Sequence, residues 1–282
     1  MSERYYWPCD ETHDPVPHTA ELSGDEAHHL TRVMRQKCGN LVTLFDGHGR
    51  EFRAEITDSR KDRVTLRILE TRIVDAEPQR QVTIAVSLPK GDRQKWLVEK
   101  LTELGCHRLI PLQTERGVAQ CNDQVLERLR RQVMEATKQC NRTRLMQISP
   151  EQSIGEVGSA ECGVWSTRIA AGNVCAAAEE THDRFNGWIA HPCSDGAFKQ
   201  WDLPQWMQHL GAPAYASCSE LPYPEMHLPK NVLALVGPEG GFTRQEVEQA
   251  VMLGLRPLDL GPRILRVETA AMMLTAILVN SM

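Results

Sequence analysis

No apolar run in these 282 residues approaches the roughly 20 residues that cross a bilayer as a helix. The N-terminal stretch Met1-Ser2-Glu3-Arg4-Tyr5-Tyr6-Trp7 lacks the apolar core of a secretion signal. Nine cysteines contain no C-x-x-C pair, and their number is odd, which disfavours a zinc ribbon or a secreted disulfide framework. No metal site is expected. The pattern predicts reduced thiols in a cytoplasmic protein. Neither repeats nor low-complexity tracts occur. Positive charge is not in excess: the net charge is −5, so any nucleic-acid surface must come from local clustering rather than from the whole chain.

Two phosphate-binding signatures are also missing. The glycines Gly240-Gly241 are followed by Phe242-Thr243, without the lysine of a Walker loop, and no G-x-G-x-x-G occurs. What the chain does have is a pair of glycine-proline turns, Gly237-Pro238-Glu239-Gly240-Gly241 and Gly261-Pro262-Arg263. The first follows Val232-Leu233-Ala234-Leu235-Val236 and the second follows Leu258-Asp259-Leu260, so each reads as a loop at the end of a buried strand. Between them Thr243 to Leu253 reads as a helix, with Thr243 and Glu246 at capping-box spacing and Gly254 as its stop. Such a unit builds a ligand crevice at strand C-terminal ends, although a glycine turn can also be purely structural.

The length admits two domains, and 41% apolar residues suffice for a core. The first, placed at 1–76, has short alternating segments at 41–45, 51–56 and 64–69, a hairpin signal at Asp46-Gly47-His48-Gly49, and one helix from Asp25 to Arg35. Pro78 lies at a polar boundary. In 77–282, strands at Val82–Leu88, Arg108–Leu112 and Asn186–Ala190 alternate with helices at Arg93–Leu104, Leu126–Cys140 and Ala170–His182, the pattern of a parallel sheet. Residues 194–230 resist placement. Basic residues cluster at Arg50, Arg53, Arg60, Lys61, Arg63 and Arg67, and again from Arg128 to Arg144. The last helix, from about Glu268, is apolar on nearly every face between Ala270 and Val279. It is either an internal core helix or a subunit interface.

The stretches LVGPEGGFT and LGPRILRVETAA closely resemble the C-terminal signature of the ribosomal RNA small subunit methyltransferase E family, of the SPOUT or α/β-knot superfamily. His28-His29-Leu30 with Val33-Met34-Arg35, Lys90-Gly91-Asp92 with Lys100 to Gly105, Pro111 to Arg116 and Asn141 to Arg144 match further segments in order. Val267 stands where many members have threonine. The resemblance implies an α/β fold: a parallel-sheet methyltransferase domain with a C-terminal trefoil knot, preceded by a small PUA-like RNA-binding barrel. It implies S-adenosylmethionine-dependent methylation of N3 of a uridine in 16S rRNA of the small (30S) subunit by a homodimer joined through the C-terminal helix. Two alternatives stay open: a non-catalytic RNA-binding or ribosome-assembly protein, and a knot enzyme that modifies ribose 2′-hydroxyls or another base.

The implied cofactor site comprises His191 and Pro192, Leu235 and Val236, the loop Gly237, Pro238, Glu239, Gly240 and Gly241, the second loop Leu260, Gly261, Pro262, Ile264 and Leu265, and Thr269. His191 can equally be a turn residue. Adenine needs an apolar slot flanked by backbone polar groups, which these positions can supply. Loss of the uridine N3 proton leaves charge on O2 and O4, so a cation there and a nearby carboxylate are needed. Arg266 and Glu268 take these catalytic places; the open alternative is a pair that caps the last helix. RNA contacts are assigned to Arg32, Arg35, Arg116, Arg142 and Arg144.

Overall fold

The computed structural model describes residues 4–9, 18–60, 62–74, 76–157, 187–191, 201–202 and 231–280. The expected helix at 170–182, residues 194–200 and 203–230, Pro192 and Lys61 lie outside them. The chain packs as two units, Met1–Glu77 with Val133–Leu145, and Pro78–Gln132 with Met146–Met282. The first unit thus takes in a stretch of sequence far from the N-terminus.

In the first unit, β1 (Arg4–Tyr6), β2 (Thr19–Ser23), β3 (Leu41–Phe45), β4 (Arg50–Arg60) and β5 (Arg63–Ile73) form a sheet of order β1-β3-β4-β5-β2. Only the β1–β3 pairing is parallel. Alternate residues Phe52, Ala54 and Ile56 face the core with Val64, Leu66, Leu44, Leu22 and Tyr5. β4 and β5 each run 11 residues, beyond the alternating segments that mark them in the sequence. Their outer ends are exposed on both faces, so no burial pattern announces them there. The Asp46 carboxylate organises the β3–β4 hairpin: Oδ1 accepts from the His48 and Arg50 amides, and Oδ2 accepts from Arg50 Nε at 2.5 Å.

The expected helix at 25–35 is shorter and changes type. α1 (Gly24–His28) passes into a π-helical turn, His29–Val33, in which the Met34 amide donates to the His29 carbonyl. Arg35 follows with φ of 52°, a left-handed conformation uncommon outside glycine. Buried Leu30 anchors this turn.

The second unit holds a parallel sheet of order β11-β13-β10-β12-β6-β7-β8, with β9 also paired to β7. Its strands are β6 (Gln81–Val86), β7 (Arg108–Gln113), β8 (Gln147–Ile148), β9 (Gln152–Ser153), β10 (Gly187–Ala190), β11 (Trp201–Asp202), β12 (Asn231–Val236) and β13 (Arg256–Asp259). The helices are α2 (Arg93–Glu103), α3 (Asp123–Cys140), α4 (Ile154–Val157), α5 (Arg244–Met252) and α6 (Val267–Asn280). α2 stops at Gly105, whose φ is 86° and where a Cβ would come within 2.7 Å of Pro78. One apolar cluster joins Ala85, Ile110, Ile189, Leu233 and Leu235 to Val247 and Ala250 of α5. α6 packs against α2, β6 and β12. It buries Val267, Ala270, Ala271, Leu274 and Leu278, while Met272, Met273, Ala276, Ile277 and Val279 stay partly exposed. Among the described residues, this helix is therefore buried along one side and partly exposed along the other. No helix among the described residues is long and apolar enough to cross a membrane.

Charge pairs hold the first unit together. The Arg142 side chain, 8% exposed, donates from Nε to Glu77 Oε1 at 3.0 Å and from Nη2 to Oε2 at 2.5 Å. Its backbone carbonyl accepts from Arg4 Nη1, and Arg4 Nη2 bridges on to Glu51 at 2.6 Å. Removing one partner of a buried bidentate pair strands the other charge, which typically costs about 3–5 kcal/mol. Arg142→Ala should destabilise the protein by roughly 3 kcal/mol, and Glu77→Gln on top of it should recover part of that loss, because the stranded charge is gone. Equilibrium urea unfolding checks this; an Arg142→Ala protein as stable as the parent contradicts it.

Candidate active site

All the strands of the second unit's sheet run parallel, so their C-terminal ends meet at one edge. The registers Val86↔Pro111, Val236↔Val86, Ala190↔Val236 and Ala190↔Leu258 put the last residues of β7, β6, β12, β10 and β13 almost level. The ladder continues one residue past the strands: the Ser87 amide donates to the Val236 carbonyl, and the His191 amide donates to the Leu258 carbonyl, each at 3.0 Å. His191, the 237–241 loop and the 260–266 loop are therefore brought together at this edge. They lie up to about 70 residues apart in sequence, by the difference between 191 and 261.

The first glycine loop is a tight turn, with the Gly241 amide donating to the Pro238 carbonyl at 2.8 Å. Gly237 lies under the buried Phe242 ring, where a Cβ would come within 3.0 Å of the ring carbons. Gly241 has φ of 69°, and a Cβ there would meet no atom within 4 Å. Thr243 caps α5 through the expected capping box: its amide donates to Glu246 Oε2 at 2.7 Å, and the Glu246 amide donates to Thr243 Oγ1 at 3.4 Å. Glu246 Oε1 also accepts from the Glu115 amide at 2.8 Å, and Arg116 Nη1 donates to the Gly240 carbonyl at 2.7 Å. The loop after β7 thus latches onto the glycine loop after β12.

At the second glycine loop, Gly261 has φ of 107° with no atom within 4 Å of a Cβ, and its amide donates to Asp259 Oδ1 at 2.9 Å. Pro262, Arg263, Ile264, Arg266 and Thr269 are exposed, and Leu260 and Leu265 are partly so. Ile264 reaches 98% exposure, so among the described residues it lines no closed apolar slot. Leu235 is fully buried among the core residues, and Val236 and Pro238 are buried as well. What these three offer at the edge is the position of their backbone.

Glu268 sits in the first turn of α6, and its side chain is 6% exposed. Its Oε2 receives no hydrogen bond and lies 4.0 Å from Arg93 Nη1, which is 3.1 Å from Glu239 Oε1. Arg93 went unnoticed in the sequence except as the start of a helix. Its distance from residue 239 leaves no local pattern that pairs them.

The residues assigned to RNA divide. Arg32, Arg35 and Arg144 are exposed in the first unit. The Arg144 guanidinium lies against Gly49, whose φ of 110° and missing side chain make room for it. Arg142 differs: its guanidinium is occupied by Glu77 inside the unit, so its role in the fold is structural. Arg116 lies in the second unit and spends one donor on Gly240. The first basic cluster is locally neutralised, since Arg50, Arg60, Arg63 and Arg67 pair with Asp46, Asp58, Glu21 and Glu55. Burial pushes the Cys121 thiol up to about 11, so it stays protonated at neutral pH.

Residues 76–187 and 211–279 match the family model described as an RNA methyltransferase domain, and residues 22–69 match an RNA methyltransferase PUA domain. The chain is 30% identical over 256 residues to the ribosomal RNA small subunit methyltransferase E of Bacillus subtilis, covering 89% of this chain and 86% of that protein. It is 29% identical over 252 residues to the protein of the same name from Synechocystis, covering 89% and 70%. Its fold is similar to a methyltransferase of Legionella pneumophila solved with bound SAM, at a TM-score of 0.72 and 26% identity over 99% of this chain and 97% of that one. A ribosomal RNA small subunit methyltransferase E of Neisseria gonorrhoeae, solved with S-adenosylmethionine, gives 0.70 and 25% over 98% and 96%. By family model and by identity over nearly its whole length, the chain belongs to the ribosomal RNA small subunit methyltransferase E family.

Proposed function

We propose that this protein transfers a methyl group from S-adenosylmethionine to N3 of a uridine in the 16S rRNA of the small ribosomal subunit. The observation that carries the reading is the meeting of His191 with two glycine loops at one sheet edge, each loop with a left-handed glycine beside open space. A bulky ligand needs backbone that side chains do not cover, and Gly241 and Gly261 provide it. His191 and Pro192, Leu235 to Gly241, Leu260 to Leu265 and Thr269 are the residues assigned to hold the cofactor. S-adenosylmethionine supplies a methyl group activated by its own sulfonium, so the chain needs no covalent nucleophile.

The chain's task is then to place a uracil ring and to carry its charge. Arg266 stands just past the second glycine loop with an exposed guanidinium, while its carbonyl accepts from the Ala270 amide in the first turn of α6. Its backbone is fixed by the helix and its side chain is available to the uracil O2 or O4 as the N3 proton leaves. Glu268, two residues on and buried, faces Arg93 at 4.0 Å rather than solvent.

Three finer features belong to the same reading. The 1–76 and 77–282 segments act as RNA-binding and catalytic domains, with Arg32, Arg35, Arg144 and Arg116 toward RNA. A trefoil knot at the C-terminus is supported by the strand order. β13 lies beyond β10 from β12, yet α6 returns to pack on β12, β6 and α2. A homodimer is supported by the partly exposed apolar side of α6, Met272, Met273, Ala276 and Ile277. The protein works in the cytoplasm, with small ribosomal subunits.

Four measurements test this. Gly241→Val should place a side chain in the open space of the loop and weaken S-adenosylmethionine binding at least about tenfold, or roughly 1.4 kcal/mol, in calorimetry. Unchanged affinity in a folded variant removes the cofactor from this loop. Arg266→Ala should keep cofactor affinity but lose on the order of a hundredfold in turnover on 30S subunits, the usual cost of one charge-stabilising donor. Nucleoside mass spectrometry should find 3-methyluridine, and a 2′-O-methyl nucleoside instead refutes the reaction. Light scattering at micromolar concentration should give about twice the chain mass, as a C2 interface on α6 requires; a monomer over that range excludes the dimer.

A further inference from the structure

We propose that Arg93 is a positioning residue of the methyl-transfer site, whose single Nη1 atom ties the glycine-loop carboxylate of Glu239 to the buried carboxylate of Glu268. The inference rests on the cofactor placement above. Three elements distant in sequence converge on this nitrogen: the start of α2, the turn after β12 and the first turn of α6. Glu239 Oε1 lies 3.1 Å from it and Glu268 Oε2 lies 4.0 Å from it. Glu268 is 4% exposed, and its Oε2 accepts no hydrogen bond. A carboxylate so deeply buried requires a countercharge, and Arg93 is the cation paired with it.

The Arg93–Glu239 pair is 40% exposed on each side, and pairs in that setting contribute little to global stability. Its consequence lies in where the 237–241 loop sits. Glu239 is the second residue of the turn closed between Pro238 and Gly241, so a tether on it fixes the turn that carries Gly240 and Gly241. Arg116 holds the same turn through the Gly240 carbonyl, from the loop after β7. The turn is thereby held at two adjacent residues by arginines from two different elements. Only the Arg93 tether extends to α6, which follows directly on the second glycine loop. One guanidinium thus sets both glycine loops against each other.

Because one nitrogen makes both contacts, a point charge can replace it. Arg93→Lys should therefore retain the function that Arg93→Met loses, unlike a site built on the bidentate fork of arginine. The test is calorimetric titration of the full-length protein with S-adenosylmethionine, for Arg93→Met, Arg93→Lys, Glu239→Gln and the Arg93→Met/Glu239→Gln double variant. Thermal unfolding without cofactor shows that each is folded. Arg93→Met should bind about fivefold more weakly or worse, and the double variant no more weakly than the worse single one, since coupled residues are not additive. Arg93→Lys should stay within about threefold of the parent.

Parent-like affinity in Arg93→Met, or additive losses in the double variant, overturns the inference. If Gly241→Val still loses affinity in that case, the cofactor placement survives; if Gly241→Val also binds normally, both fall. Should Arg93→Met not fold, Arg93→Lys and Glu239→Gln decide. Weakened binding in Glu239→Gln with near-parent binding in Arg93→Lys supports the tether, and parent-like binding in Glu239→Gln overturns it.

Discussion

The site depends on the register of a parallel sheet. In an antiparallel sheet neighbouring strands end at opposite edges, whereas here β6, β7, β10, β12 and β13 all end at one edge and nearly level. A strand buried on both faces, as β12 is from Val232 to Val236, cannot find its register by sorting polar from apolar. Size does part of the work. Gly187 opens β10 opposite Leu233, where a Cβ would stand 2.5 Å from Leu255 Cδ2 and 3.0 Å from the Leu233 carbonyl oxygen. A larger residue would have to displace the Leu255 side chain and crowd the Leu233 carbonyl, so a glycine is favoured at this register. Ala190 lies beside Val236 and Leu258, so His191 and the starts of the 237–241 and 260–266 loops lie at the same level.

Once the loops share an edge, charge pairs between them set their positions. The 237–241 turn is held by Arg93 and Arg116, and the 114–117 loop by the Glu246 carboxylate. Such exposed or half-exposed contacts add little to folding free energy, but they limit where flexible glycines can go. A glycine loop gains reach toward a ligand at the expense of order, and side chains from neighbouring loops restore the order. In the first unit the same residue types serve folding instead. Arg142 with Glu77, and Arg4 with Glu51, are shielded from water, and they join parts of the chain distant in sequence.

That contrast explains what could be read from the sequence and what could not. Local signals were legible: the Thr243–Glu246 capping box, the stop at Gly105, the alternation in Phe52-Ala54-Ile56, and the glycine turns after apolar strands. Each is a matter of a few neighbouring residues. The functions of individual arginines were not. Arg142 lies in a basic run that reads as an RNA-contacting face, yet its partner Glu77 stands 65 residues away. Arg93 reads as an ordinary helix start, yet it meets two carboxylates at 239 and 268. The C-terminal helix was legible in extent, whereas which of its sides packs inside the chain was not. Its composition is apolar on every side, while its packing on α2, β6 and β12 uses only one.

Ile264 shows how the remaining exposed surface bears on function. A β-branched apolar side chain that is 98% exposed forgoes burial worth about 1.5–3 kcal/mol. It stands between Gly261, with open space at its Cα, and Arg266, with a free-standing exposed guanidinium position at the helix start. Within one chain this segment has neither the cover of a core loop nor the polar composition of a solvated one. A segment that must first admit a cofactor and then meet a uracil ring cannot be packed beforehand, because its contacts belong to the ligands. The exposed apolar residue and the exposed cation are therefore consistent with each other. They leave the 260–266 loop to be completed by what binds, on an edge whose level the sheet has already set.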